Sequence, residues 1–119
     1  MSKKEKNITV VVMEPGQIAE VRVIENDLSV LQGIVGGNIE CVRMEDHDII
    51  INEEGKYLDL EPNFFIYQGR DYIAGTAIFT GVDYYEGEFK SLSKEQIKFI
   101  TGAFEGRKKK HRDDQTDQA

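Results

Sequence analysis

The sequence has one cysteine, Cys41, so it can form neither an intramolecular disulfide nor a Cys-rich zinc site. Inside a strand-like run, with no His or basic pair beside it, Cys41 reads as a small core residue rather than a reactive thiol. Histidine is nearly as scarce, with only His47 and His111. His47 stands between Asp46 and Asp48 in MEDHD. One imidazole and two adjacent carboxylates on a turn do not converge on an ion as spaced ligands on rigid elements do, so this stretch reads as a solvated turn. His111 lies in a charged tail, and neither histidine has a nucleophile placed for it. Long apolar runs are missing as well. Nowhere do about eighteen apolar residues follow one another, and MSKKEK has no signal-type run behind it. The expectation is a cytoplasmic protein without membrane contact.

Acidic residues, by contrast, are abundant: 22 Asp and Glu against 15 Lys and Arg, for a net charge of −7. Residues 1–6 and 107–119 each carry +2, which leaves −11 on residues 7–106. Phosphate contacts need clustered cations, so the folded surface is a poor nucleic-acid binder, with weak contact expected only from the basic tail at 107–112. The carboxylate pairs Glu53 with Glu54, Glu86 with Glu88 and Asp113 with Asp114 follow from the abundance of acids. None sits in an apolar run that would shift its pKa for acid–base work. No enzyme activity, catalytic residue, cofactor or metal is expected.

The 119 residues suit one domain, and a chain of this length buries roughly two-thirds of its unfolded surface. The expected organisation is a flexible basic N-terminus at 1–7, an α+β domain at 8–104 and a disordered charged tail at 105–119. ITVVVM, residues 8–13, predicts a central strand. Glu14-Pro15-Gly16-Gln17 is a type II turn. Ile18–Ile24 returns as a second strand, with Val21 and Val23 on one side and Glu20 and Arg22 on the other.

The stretch NDLSVLQGIVGGNIECVR, Asn26–Arg43, predicts a short helix, a glycine stop and a strand over Ile39–Met44. Asn26 is the expected N-cap and Asp27 sits in the positive first turn. Leu28, Leu31 and Ile34 or Val35 make an apolar stripe, and Gly36 and Gly37 supply the positive φ that stops the helix. Because the glycines follow a helix C-terminus, where free carbonyls repel anions, they do not read as a phosphate loop.

Ile49–Ile51 predicts a fourth strand, Asn52–Lys56 a hairpin loop with Gly55 at positive φ, and Tyr57–Leu60 a brief returning strand that Pro62 stops. Residues 63–70, NFFIYQGR, read as one helical turn capped by Asn63 or as an irregular flap. Tyr72–Phe79 is a strand in which Gly75 marks a bulge or close approach, and Gly81–Lys90 is a loop or loose hairpin. The last helix is the best signed. Ser93-Lys94-Glu95-Gln96 is a capping box, Leu92 and Ile97 form a hydrophobic staple, and Ile97, Ile100 and Phe104 share a face that Gly106 closes. The order β-β-α-β-β-(β)-β-α describes an α+β domain: a single mostly antiparallel sheet of about five to six strands, with two helices covering one face.

The candidate contact residues are aromatics in expected loops, Phe64, Phe65, Tyr67, Tyr84 and Tyr85, with Arg70 between the two groups in sequence. Either some of them close the open end of the sheet, or they form a patch. In the patch, Tyr84 or Tyr85 gives stacking area and Arg70 contacts an anion or guanidinium.

VVMEPG, LQGIVGGNIECV, NEEGK with EPN soon after, IAGTAIFTG and FKSLSKEQI occur in that order. Together they resemble a family of small proteins encoded by bacteriophages, plasmids and related bacterial hosts, catalogued as a domain of unknown function. The likeness runs over roughly residues 8–100, and where the family commonly follows Asn63 with Arg this sequence has Phe64. The resemblance implies no catalytic residue, cofactor or substrate. It does imply a mobile-element setting, in which small acidic proteins act as accessory or counter-defence factors. The expected function is therefore a non-enzymatic binding protein that occupies a host protein, a defence or regulatory factor, steered to it by charge. The alternative is a sponge for a small nucleotide signal, with Arg70, Asn63 and Tyr84 lining a pocket at an oligomer interface. An exposed edge strand would give a route to a homodimer.

Overall fold

The first strand, Asn7–Met13 (β1), lies inside the sheet because its β-branched residues alternate between two apolar cores. Ile8, Val10 and Val12 enter one core, and Val11 and Met13 enter the other. The computed structural model describes residues 4–107. Of the segments expected to be flexible, residues 1–3 and 108–119, including His111 and most of the basic cluster, lie outside the described residues. Within them, Glu5 accepts a hydrogen bond from the Ser91 amide at 2.7 Å, and the Lys6 carbonyl accepts one from Asn26 at 2.8 Å.

The elements after β1 are β2 (Glu20–Glu25), α1 (Leu28–Val35), β3 (Ile39–Arg43), β4 (Asp48–Asn52), β5 (Pro62–Ile66), β6 (Asp71–Ala74), β7 (Ala77–Asp83), β8 (Glu88–Lys90) and α2 (Lys94–Ala103). The main sheet runs β2-β1-β7-β4-β3, with β8 paired to the far end of β7. β5 and β6 form a second, two-stranded sheet. Every pairing is antiparallel, so the fold is α+β as expected. The two helices, however, cover opposite faces rather than one. Leu31 and Val35 of α1 pack with Ile8, Val10, Ile50 and Ile78, whereas Ile100 of α2 packs with Val11, Met13, Ile49 and Phe79. Central strands buried on both faces need cover on both, which a continuous apolar run such as ITVVVM already requires.

Several local expectations change in detail. The N-cap of α1 is Asp27, in extended backbone (φ −138°, ψ 135°), not Asn26. The buried Asn26 side chain instead donates to the Phe89 carbonyl at 3.1 Å. Leu28 is exposed, so the stripe rests on Leu31 and Val35. Gly36 ends the helix in the left-handed region (φ 82°). Gly37 lacks positive φ and is required for space, because a Cβ there would meet Asn52 Nδ2 at 2.9 Å. The Asn52 amide, expected in a loop, is buried and donates to the Val35 carbonyl at 3.2 Å, fastening α1 to β4.

Residues 53–59 form turns and not a returning strand, with Asp59 at φ 57°. Residues 63–70, expected to be helical or irregular, are most of β5 and a tight turn into β6. Pro62 opens that strand, a position where its missing N–H costs no ladder bond. The single strand expected over Tyr72–Phe79 is two strands, since Gly75 at φ 83° turns the chain from the small sheet into the centre of the large one. Gly81–Lys90 is the β7–β8 hairpin.

α2 carries the expected capping box, Ser93 Oγ accepting from Gln96 N at 3.0 Å and Gln96 Oε1 accepting from Ser93 N at 2.8 Å. Gln96 Nε2 also donates to the Asp46 carbonyl at 2.9 Å, tying the helix to the β3–β4 turn. The helix ends at Ala103 with Phe104 as its C-cap, before Gly106. Ile97 and Phe104 pack beside Ile100 on the core.

Gly75→Ala should destabilise the protein by about 1–3 kcal/mol, because it combines positive φ with an approach of 2.8 Å to Leu60 Cδ1. Gly33→Ala, in the last turn of α1 with nothing within 4 Å of the new methyl, should instead stabilise it by about 0.5–1 kcal/mol. Urea unfolding midpoints measure both, and a Gly75→Ala midpoint at or above wild type would contradict the corner assigned to Gly75.

Candidate functional site

β3 is an edge strand, and beside it lies a groove of about 500 Å³. Its walls are β3 (Glu40 to Arg43), the turn over Glu53–Tyr57 and the β5–β6 hairpin through Tyr67, Asp71 and Tyr72. The hairpin is held over the sheet by Ile66 and Ile73, buried in the same core as Ile49. Across the groove, Lys56 forms an ion pair with Asp71 and lies 4.7 Å from the centre of the Tyr72 ring. The hydrogen bond from Lys56 holds the Asp71 carboxyl below its usual range, and reciprocally raises the Lys56 ammonium. Both groups are largely exposed, so the pair fixes position more than it adds stability.

Cys41, expected in the core, is exposed on this edge. Burial of part of its surface, then the nearby charges of Asp48 and Glu40, push its thiol up. A thiol raised in this way carries little thiolate at neutral pH and is a weak nucleophile.

Past the lower end of β3, Arg43 stacks its guanidinium 4.0 Å from the Tyr84 ring centre, and the Tyr84 hydroxyl donates to Asp48 Oδ1 at 3.3 Å. Burial and then Asp48 raise the Tyr84 phenol. His47, expected in solvent, is buried with its ring 5.9 Å from that of Phe79. Its Nδ1 donates to Asp46 Oδ1 at 2.8 Å, because a carboxylate can only accept. That bond is the main reason the Asp46 carboxyl lies below its ordinary value. Among the described residues no group of three or more His, Cys, Asp or Glu side chains gathers to hold a metal ion.

The residues nominated from sequence do not form one patch. Asn63 is a clamp: its amide donates to the Met13 and Gly75 carbonyls, both at 2.8 Å, and its oxygen accepts from Arg107 Nη1 at 2.9 Å. Arg107 also reaches the Glu14 carbonyl at 3.1 Å, and burial lowers its pKa. Phe64 belongs to the core, stacked 5.6 Å from Phe79 and tilted 5.1 Å from Phe104. Phe65 points out from β5, beside an apolar hollow of about 310 Å³ shared with Pro62 and Tyr72. Arg70 is exposed in the β5–β6 turn, and Tyr85 is fully exposed in the β7–β8 turn. Arg70, Asn63 and Tyr84, expected to line a nucleotide pocket at an oligomer interface, stand in three separate places within one copy of the chain, and none lines the groove.

The groove residues Glu40, Val42, Glu53, Glu54 and Tyr57 were not singled out from the sequence as a site. The one available signal was the density of acids in NEEGK, which abundance alone explains until the fold sets them against β3. Among the described residues no helix is long and apolar enough to cross a membrane.

The chain belongs to the family described as a domain of unknown function (DUF3846), whose profile matches residues 8–105. Neither the curated proteins nor the solved structures contain a match to it.

Asn63→Ala should cost about 1–3 kcal/mol of stability by leaving two carbonyls without their donor, a loss visible in thermal unfolding. A variant as stable as wild type would remove the clamp. Asp46 is more acidic folded than unfolded, so its contribution is present above its ordinary pKa of 3.8 and is lost as pH falls through the lower folded value. Because its side chain is 66% exposed, that contribution stays under about 1 kcal/mol. Asp46→Asn should flatten stability against pH in that acid window; an unaltered acid limb would exclude the pair.

Proposed function

We propose that this DUF3846 protein is a non-enzymatic binding protein of phage or mobile-element type, which occupies a host protein, a defence or regulatory factor, through direct protein–protein contact. The observation that carries this reading is the surplus of carboxylates on an accessible groove. Glu40, Glu53 and Glu54 form no ion pair among the described residues and Lys56 pairs with Asp71, so the groove's four carboxylates outnumber its two cations, Lys56 and Arg43. Tyr57 stands 84% exposed on the same rim. Aromatic area bordered by a net negative charge suits a partner whose own surface is basic, and the body charge of −11 raises the encounter rate with such a partner.

A groove of that sign repels the phosphates of a nucleotide, which supports the protein-binding reading over a sponge that uses this groove.

The test is affinity capture with the tagged full-length chain in cells of its source at about 0.15 M salt, followed by rebinding of purified candidates in calorimetry. A thermal-shift panel of nucleotides runs beside it. The expected result is a captured protein that rebinds when pure, with affinity falling as salt rises, and no nucleotide shift. A nucleotide present at 100 times its Kd would add about 2.7 kcal/mol of stability. Such a shift, or the failure of every captured protein to rebind, would overturn the proposal.

A further inference from the structure

We infer that the open edge of β3, with the groove beside it, receives an extended Lys- or Arg-bearing segment of a protein partner as an added β-strand. This rests on the reading of the protein as a binding module and assigns the site and the form of the bound partner.

The phase of the ladder supplies the first argument. The Met44 amide donates to the His47 carbonyl at 2.9 Å, and the Glu53 amide to the Asn38 carbonyl at 2.8 Å. Met44 pairs opposite His47 and Asn38 opposite Glu53, and the register between them sets Val42 opposite Ile49 and Glu40 opposite Ile51. In an antiparallel pair the bonded and non-bonded positions alternate, so the even residues of β3 turn their N–H and C=O groups toward β4. The N–H and C=O groups of Ile39, Cys41 and Arg43 consequently point away from the sheet. They form a ready ladder for one more strand, about 16 Å long for five residues.

β3 carries no proline and no lysine, and its pairing with β4 has no bulge, so its charged residues Glu40 and Arg43 are what guards this edge. The opposite edge, β2, carries an ion-pair cluster of Arg22 with Glu14 and Glu20, and it borders neither cavity described above.

Side-chain alternation supplies the second argument. Glu40 and Val42 lie opposite Ile51 and Ile49, whose side chains pack in the core on the α2 face. They therefore face the hairpin side, and Cys41 faces the other. A strand added beside β3 would send every second side chain into the groove, next to Glu40, Glu53 and Glu54. Cations satisfy those positions, through cross-strand pairing with Glu40 and contact with the Tyr57 and Tyr67 faces. A second copy of this chain would bring its own negative body to the same edge, and like charge opposes that association.

The probe is a fluorescein-labelled peptide of about ten alternating Lys and Thr residues, long enough to span β3, read by anisotropy against the full chain. Controls carry Glu in place of Lys, or N-methyl groups on the residues that would bond to β3. Cys41→Pro removes an outward N–H without breaking the bonds to β4, and should weaken binding by about fivefold or more. Glu40→Lys with Glu53→Lys and Glu54→Lys should weaken it by about tenfold at low salt. Should Cys41→Pro fail to fold, the N-methylated peptide on the wild-type chain makes the same test of the edge.

Equal affinity for the plain and N-methylated peptides would overturn the inference, as would a wild-type dimer that Cys41→Pro dissolves. A captured partner protein that binds Cys41→Pro and the triple Lys variant as it binds wild type would also overturn it. That last result would leave the binding-protein reading standing, whereas the absence of any rebinding partner strikes at that reading itself.

Discussion

β7 is hydrogen-bonded along both edges, to β1 from Val11 to Met13 and to β4 from Asp48 to Ile50. The rest of the structure depends on that double pairing. Ile78 faces the α1 core and Phe79 the α2 core, so one strand joins two apolar layers that would otherwise be separate hairpins. Its entry into the centre of the sheet needs a sharp change of direction just before it, which Gly75 provides at positive φ. Asn63 then locks the corner by bonding the Gly75 carbonyl on one side and the Met13 carbonyl on the other. A polar side chain in the most irregular-looking segment of the sequence is thus a structural fastening.

This arrangement creates the candidate surface as a by-product. The β5–β6 hairpin precedes β7 and stays apart from the main sheet, whose centre β7 occupies. It lies across the face beside α2, anchored by Phe64, Ile66 and Ile73. Since it covers β4 more than β3, an opening remains between the hairpin and the outermost strand. The turn after Asn52 folds up against Ala74, with Gly55 so close to the Ala74 carbonyl that a Cβ would meet it at 2.9 Å. That contact carries Glu53, Glu54 and Tyr57 to the rim. Acidic residues far apart in sequence become one field because the core beneath them holds the two segments together.

Legibility followed the range of the forces involved. The capping box at Ser93 and Gln96, the Gly36 stop and the apolar run of β1 were readable because neighbours within about four residues decide them. The segment 63–70 was not, since its strand character comes from pairing with β6 and from Phe64 stacking on Phe79 and Phe104. Cys41, expected inside, is exposed, and His47, expected in solvent, is buried. In each case the local pattern was ambiguous, and the position of β3 at the sheet edge, or of the β3–β4 turn beside Phe79, settled it.

By itself the sequence determined the α+β class, the central place of the first strand, the last helix and the strongly negative body, all properties of composition and short-range periodicity. Tertiary structure alone decided which face each helix covers, where the chain turns at Gly75, and which acids share the groove beside β3. Those outcomes depend on contacts between residues tens of positions apart, whose energies arise only when the whole sheet is closed. A local pattern can state what a residue prefers, but it carries no record of what will be opposite it.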